Sequence, residues 1–273
     1  MSAPFPALQF LRCPVCGAAF SVQEKSLVCA CGHCFDIARK GYVNLAGARR
    51  TEALYDRALF ESRRRILQSG LYAPVVEALC EQIGRFAPQR ALLVDAGCGE
   101  GFYARSLAPL FEAVVAFDLA REGVALAASG GERAHAAYLV ADLTRIPVRD
   151  GAADVLLDVL TPACYAEFAR VLRVGGILIK VLPREGYLCQ LRALAAKGAY
   201  SNRDVLARMD DACAGGFAPL VRRAVTYTRP LPAGLRGDAV RMSPLSHREA
   251  AFDAAALQAL TIDLEIAVLR RSA

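Results

Sequence analysis

Two stretches of this 273-residue chain carry residues able to do chemistry. The first, CPVCGAAFSVQEKSLVCACGHCFD at residues 13–36, holds five of the chain's ten cysteines and one of its three histidines. Cys13 and Cys16 stand at the spacing at which two thiolates on the tip of one turn chelate an ion without strain. After a gap of twelve residues come Cys29 and His33, with Cys31 and Cys34 close by. Two short ligand pairs divided by a hairpin-length spacer is the layout of small zinc ribbons. Six donors are present and zinc takes four. Cys13, Cys16, Cys29 and His33 are the first choice, and Cys31 or Cys34 can replace one of the second pair. The spacer FSVQEKSLVC alternates apolar and polar residues, as a hairpin does. So short a segment cannot hold a fold by burial alone, and bound metal supplies the missing free energy. With a full protein ligand set the metal is structural. Ordinary free thiols on a loop are the bland alternative.

The second stretch is Asp95-Ala-Gly97-Cys-Gly99-Glu100-Gly101, between the apolar run ALLV and a helical pattern. Its glycines let the backbone turn tightly and approach a ligand closely. A lone glycine loop is weak evidence, because nicotinamide, flavin and S-adenosylmethionine sites all use one. The form here is G-x-G-x-G rather than G-x-G-x-x-G. Asp118 ends the next apolar run, where it can hold ribose hydroxyls. Asp142 ends the third, in VADL, where it can accept from an adenine amino group. Together these favour S-adenosylmethionine over a dinucleotide.

The elements that position these residues alternate. Apolar runs ALLVDA, AVVAFD, AYLVAD, ADVLLDVL and GILIKVLP are separated by helical segments such as ACYAEFARVLR. LVRRAVTYT and TIDLEIAVLRR read as two further, adjacent strands. Strand–helix alternation with fully apolar strands predicts a parallel sheet covered on both faces. The fold class is therefore α/β: a seven-stranded class I (Rossmann-like) domain over residues 90–273. A zinc-ribbon-like module over residues 1–45 precedes it, with linker helices over 46–89. Residues 193–216 read as a helical lid.

The formal charge is +6, and residues 1–75 hold ten basic against five acidic side chains. A basic N-terminal quarter suits an anionic partner, with nucleic acid the default. No run of about 18 uncharged apolar residues exists, so no membrane span is expected. The opening MSAPFPALQFLRC has no basic n-region or long apolar core, so no signal peptide is expected. The expected compartment is the reducing cytoplasm, where ten cysteines stay thiols. Arg63, Arg64 and Arg65 can grip phosphates or form a solvated helix face. Tyr42, with Lys40 and Asn44, can stack on a base or pack against the zinc hairpin. Cys98 reads as a small packed residue, and His135 and His247 stand without partners.

The chain resembles the bacterial 23S rRNA (guanine-N1) methyltransferases of the RlmA/TlrB type. The resemblance rests on CPVCGAAF…LVCACGHCFDIARKGYVNL, on YDRALFESRRRILQSGLYAPV, on DAGCGEG and on LRGDAVRMSPLSHR. It implies a zinc-binding RNA-recognition module joined to an S-adenosylmethionine-dependent methyltransferase domain, with 23S ribosomal RNA as partner; a homodimer is compatible with it. It places zinc on Cys13, Cys16, Cys29 and His33. It places the cofactor on the 95–101 loop and Asp118, with Tyr72 beside the same pocket. Where relatives close the fourth strand with Asn or Arg, an aromatic and small-Pro-Cys, this chain reads Asp158-Val-Leu160-Thr161-Pro162-Ala-Cys164. Guanine N1 carries a proton that must leave, and Asp158 is the candidate carboxylate to accept it; a turn or N-cap role is the alternative. Two other functions stay open: a zinc-containing methyltransferase acting on another RNA position or a small molecule, and a noncatalytic RNA-binding protein.

Overall fold

The computed structural model describes residues 5–47, 49, 55–130, 136–195, 201–243 and 253–273. Arg50, His135 and His247 lie outside these residues, as do 196–200 of the expected lid and the end of the LRGDAVRMSPLSHR segment from 244 onward.

The N-terminal module is a three-stranded antiparallel sheet of β1 (Phe20–Gln23), β2 (Ser26–Cys29) and β3 (Cys34–Asp36). Phe20 faces Cys29 and Gln23 faces Ser26, so the alternating FSVQEKSLVC segment forms the expected hairpin. Phe20 and Phe35 meet edge to face with ring centroids 5.8 Å apart. A two-residue strand, β4 (Val43–Asn44), follows. Two helices come next, α1 (Arg57–Gln68) and α2 (Ala73–Phe86). Asp56 caps α1 by accepting from the Leu59 N–H at 2.8 Å, which satisfies one of the helix's free donors.

From residue 92 strands and helices alternate: β5 (Leu92–Ala96), α3 (Phe102–Leu107), β6 (Ala113–Asp118), α4 (Arg121–Ala127), β7 (Ala136–Val140), β8 (Ala153–Val159), α5 (Tyr165–Val171) and β9 (Leu172–Pro183). The chain closes with α6 (Cys189–Leu194), α7 (Arg203–Ala214), β10 (Phe217–Pro230), α8 (Arg236–Arg241) and β11 (Ala259–Arg271). The sheet order is β10-β11-β9-β8-β5-β6-β7-β4. Strands β4 to β9 run parallel, while β11 lies antiparallel between β9 and β10. The sheet is thus mixed and has eight strands, where the sequence predicted seven. The extra strand is β4, contributed by the N-terminal segment. Because β5 has β6 on one side and β8 on the other, the strand order reverses beside it, which is where open α/β sheets bind their ligands, at the carboxyl ends of the strands.

The strands are apolar throughout because both faces are covered. One face packs on residues of α2, α3 and α4, such as Leu79, Ile83, Leu107 and Val124. The other is shared with the N-terminal module: Leu11, Phe20, Leu27, Val43 and Leu45 join Leu92, Val94, Phe117, Leu139, Leu156 and Phe168 in one core. Backbone hydrogen bonds fasten this junction. Arg12 N–H donates to the Pro147 carbonyl at 3.1 Å, Arg149 N–H to Phe10 at 2.9 Å and Leu45 N–H to Val140 at 2.8 Å. No helix among the described residues is long and apolar enough to cross a membrane.

Leu11 is wholly buried at the junction and bridges Val148. Truncating it opens a cavity shared by module and sheet, so Leu11→Ala should lower the stability of the whole chain by about 2–5 kcal/mol. Urea denaturation measures this; a loss confined to the module's own signal would show that the two parts do not share a core.

Candidate functional site

Two turns converge at one end of the small sheet. In the first, Gly17 N–H donates to the Cys13 carbonyl at 2.8 Å; in the second, Gly32 N–H donates to Cys29 at 2.9 Å. Both glycines hold positive φ, at 77° and 82°, where a side chain would strain the turn. The turns bring Cys13 Sγ, Cys16 Sγ, Cys29 Sγ and one ring nitrogen of His33 within 4.8 Å of one another. Cys16 Sγ lies 3.6 Å from Cys29 Sγ, and His33 Nδ1 lies 3.3 Å from Cys29 Sγ and 3.7 Å from Cys13 Sγ. Tetrahedral zinc with bonds of about 2.0–2.3 Å spaces its ligands by about 3.3–3.8 Å, so this donor set fits the ion. Cys31 and Cys34 are exposed and stand outside the group of four.

The glycine loop, residues 97–101, lies at the carboxyl end of β5. Gly97, Gly99 and Gly101 all hold positive φ, which folds the loop back over the strand ends. Gly97 and Cys98 N–H both donate to the Phe117 carbonyl, at 2.8 and 2.9 Å. Asp118 fixes the rest: its Oδ2 accepts from Gly99 N–H at 2.9 Å and its Oδ1 from Ala120 N–H at 2.8 Å. A Cβ on Gly97 would stand 2.6 Å from Thr161 Oγ1, so glycine is required there by contact as well as by φ.

Asp95 is buried, and its Oδ2 has no hydrogen-bond partner. Burial, and then the charge of Asp118, push its carboxyl up to about 7. Burial also raises Asp118, although the N–H donors from Ala120 and Gly99 pull it back. Tyr72 shares a 2.8 Å hydrogen bond with Tyr187, and the buried Tyr103 hydroxyl nearby has no partner. Unpartnered buried acceptors beside a glycine cradle suit a ligand that brings its own hydroxyls and a positive charge.

Two of the residues expected at the cofactor are occupied within the chain. Glu100 Oε2 accepts from Arg64 at 2.7 Å and Arg105 at 2.6 Å, which ties the loop to α1 and α3; its Oε1 is buried and unpartnered. Asp142 Oδ1 accepts from the N–H and hydroxyl of Thr144, both at 2.8 Å, and its Oδ2 pairs with Arg49. Asp158 stands at the end of β8, fully shielded from solvent, with Oδ2 bound to Lys180 Nζ at 2.7 Å. Its Oδ1 is buried without a partner. Burial lifts its carboxyl to about 7, with the Lys180 charge opposing the rise.

The arginine triplet is used inside the protein. Arg63 donates to the Met242 carbonyl at 3.0 Å, Arg64 clamps Glu100 and the Leu126 carbonyl, and Arg65 binds both oxygens of Asp238. Tyr42 is buried, and its hydroxyl accepts from Arg121 Nε at 3.0 Å, which is the packing role. Sequence reasoning missed Lys180, Thr161, Tyr187 and Arg105. Lys180 had a signal, the one charge inside the apolar run GILIKVLP.

Residues 11–50 match the family model for the RlmA N-terminal zinc ribbon, and residues 94–180 match a methyltransferase domain. A 23S rRNA (guanine(748)-N(1))-methyltransferase from Streptomyces fradiae is 34% identical over 245 residues, covering 88% of this chain and 86% of that protein. A Bacillus subtilis relative provisionally assigned as a 23S rRNA (guanine-N1) methyltransferase is 34% identical over 211 residues, covering 72% and 74%. Among solved structures, a chain from the complex of the Haloferax volcanii Trm112 methyltransferase activator superposes with a TM-score of 0.54 at 15% identity, covering 83% of this chain and 100% of that one, which shows the fold.

The four-ligand geometry sets a metal expectation. The purified chain should carry about one zinc per molecule, and Cys29→Ser should lose it while Cys34→Ser keeps it. Elemental analysis reads this directly; equal loss in both variants would mean that the ligand set is wrong.

Proposed function

The chain belongs to the family of 23S rRNA (guanine-N1)-methyltransferases, and we propose that it methylates N1 of a guanine in 23S ribosomal RNA at the crevice between β5, β6 and β8. The observation that carries this reading is the placement of the metal module. Through β4 the module is the edge of the same sheet whose strand ends hold the cofactor loop. Val43 pairs with Leu139 and Asn44 with Val140 in parallel, so the chain leaving the module runs out at the cofactor end of the sheet. Arg49, just beyond, reaches Asp142 there. Lys25, Arg39 and Arg145 are exposed, and such solvated positive charge suits a nucleic-acid partner.

S-adenosylmethionine, when bound, supplies an electrophilic methyl group on a sulfonium. The residues that suit it are Asp95, Gly97, Gly99 and Asp118, with the Tyr72–Tyr187 pair on the far wall. Glu100 and Asp142 support this pocket from behind: one ties the loop to two arginines, the other closes the turn after β7. Zinc on Cys13, Cys16, Cys29 and His33 holds the module's two turns together and has no part in the chemistry. Transfer to N1 would exchange the sulfonium C–S bond for an N–C bond, the sulfur keeping the electron pair. The N1 proton must leave to a base. Asp158 is the carboxylate at the end of β8, and a carboxyl near 7 is matched to proton transfer at neutral pH.

The test is methyl transfer from labelled S-adenosylmethionine to a 23S rRNA transcript, with the product nucleoside identified by mass spectrometry. We expect 1-methylguanosine, and RNA affinity that drops steeply between roughly 50 and 200 mM salt. Asp158→Asn should reduce kcat by about 100-fold and leave S-adenosylmethionine affinity unchanged. A different methylated nucleoside, or transfer only to a small molecule with no salt dependence, would replace the substrate assignment.

A further inference from the structure

Lys180 sits in β9 within Ile-Leu-Ile-Lys-Val-Leu, 1% exposed, directly opposite Asp158 in the parallel register of β8 and β9. We propose that Lys180 is a positioning residue for the transfer: one ammonium orients the Asp158 carboxylate and pins the Leu160–Thr161 turn over the cofactor loop. This rests on the guanine-N1 reading of the crevice.

Its Nζ donates to Asp158 Oδ2 at 2.7 Å and to the Thr161 carbonyl at 3.0 Å. The first bond occupies one carboxylate oxygen and leaves Oδ1 buried and unpartnered. The second holds a strained turn. Leu160 has φ +55°, a region where a non-glycine side chain is unfavourable, and it is 40% exposed despite being apolar. Leu160 N–H donates to the Val181 carbonyl at 3.1 Å, so both anchors of the turn lie on β9. Beyond it the Thr161 side chain fills the space beside Gly97, interlocking the turn with the glycine loop. The acceptor side and the donor side of the crevice are therefore set by the same lysine.

Stability does not account for such a pair. Two charges taken out of water recover little beyond their desolvation, and an apolar pair of the same volume packs as well. Strain kept at a ligand crevice by surrounding structure points to pre-organisation.

Lys180 from β9 and the Thr161 backbone act on Asp158, while Asp158 in turn raises Asp95 on β5 and Tyr165 on α5, whose buried hydroxyl is also unpartnered. Of these only Lys180 is positive. Removing its charge makes Asp158 harder to ionise, so the acid limb of the rate profile moves to higher pH.

The experiment is the pH dependence of 1-methylguanosine formation on a 23S rRNA transcript, with thermal midpoints and S-adenosylmethionine affinity measured in parallel. Lys180→Gln, which keeps a donor, should lose at least about tenfold in kcat, hold the cofactor KM within about threefold, and move the acid limb up by about one pH unit. Lys180→Arg should bring the limb back towards wild type. An acid limb that stays in place in Lys180→Gln, or a rate that falls only in step with the thermal midpoint, overturns the positioning role and leaves the methyltransferase reading standing. A wild-type protein that forms no 1-methylguanosine takes down both. Should Lys180→Gln fail to fold, Lys180→Arg decides: a folded variant with a restored limb supports the role, and one with wild-type stability but a displaced limb overturns it.

Discussion

Everything in this protein is referred to one short parallel pairing, Val43 and Asn44 against Leu139 and Val140. Two residues of ladder would not hold a free strand. They hold here because Val43 and Leu45 are buried in the core that lines that face of the sheet, and because Arg121 donates to Tyr42 from the flanking helix. The consequence is geometric. A zinc-ribbon module too small to fold by burial is fixed against the edge of a large sheet, with β6 and β7 between it and β5, which carries the glycine loop. The module and the strand ends that carry the glycine loop therefore belong to one rigid frame.

The second constraint is charge in an apolar place. Asp95, Asp118 and Asp158 end three neighbouring strands, and burial pushes all three carboxyls up. Each is managed differently. Asp118 receives two backbone N–H bonds, Asp158 receives a lysine, and Asp95 keeps one oxygen without a partner. Adjacent carboxylates in different surroundings take different tasks, and the graded compensation separates a loop-holding acid from one free for a ligand and one held by an ion pair.

A third theme is that the basic residues most suggestive of RNA are spent internally. Arg63, Arg64 and Arg65 follow one another on α1, so they point around the helix, and each reaches a different part of the fold. Arg64 and Arg105 converge on the buried Glu100 and hold the glycine loop from behind. Arg65 reaches Asp238, and Arg63 reaches the end of α8 at Met242. The glycine loop is thereby braced by α1 and α3, and α1 in turn by α8.

What the sequence determined by itself is what is encoded locally. The cluster of Cys13, Cys16, Cys29 and His33 was legible because chelation demands fixed short spacings, the hairpin because alternation reports a sheet face, and the strands because burial on both faces leaves an unbroken apolar run. The glycine loop was legible because positive φ selects glycine. The tertiary structure decided the rest. Val43-Asn44 has no strand signal of its own and becomes one only beside β7. The destination of Arg65 lies 173 residues away, and no local pattern encodes that pairing. Tyr42 was open to base stacking and to packing alike, and Asp142 was read as a cofactor acceptor; Arg121 and Arg49, brought near by the fold, engage them within the chain. Lys180 is the intermediate case. A lone lysine in an apolar strand announces a buried charge, but only the register of β9 on β8 shows that its partner is Asp158, because desolvation demands a counter-charge without naming which one.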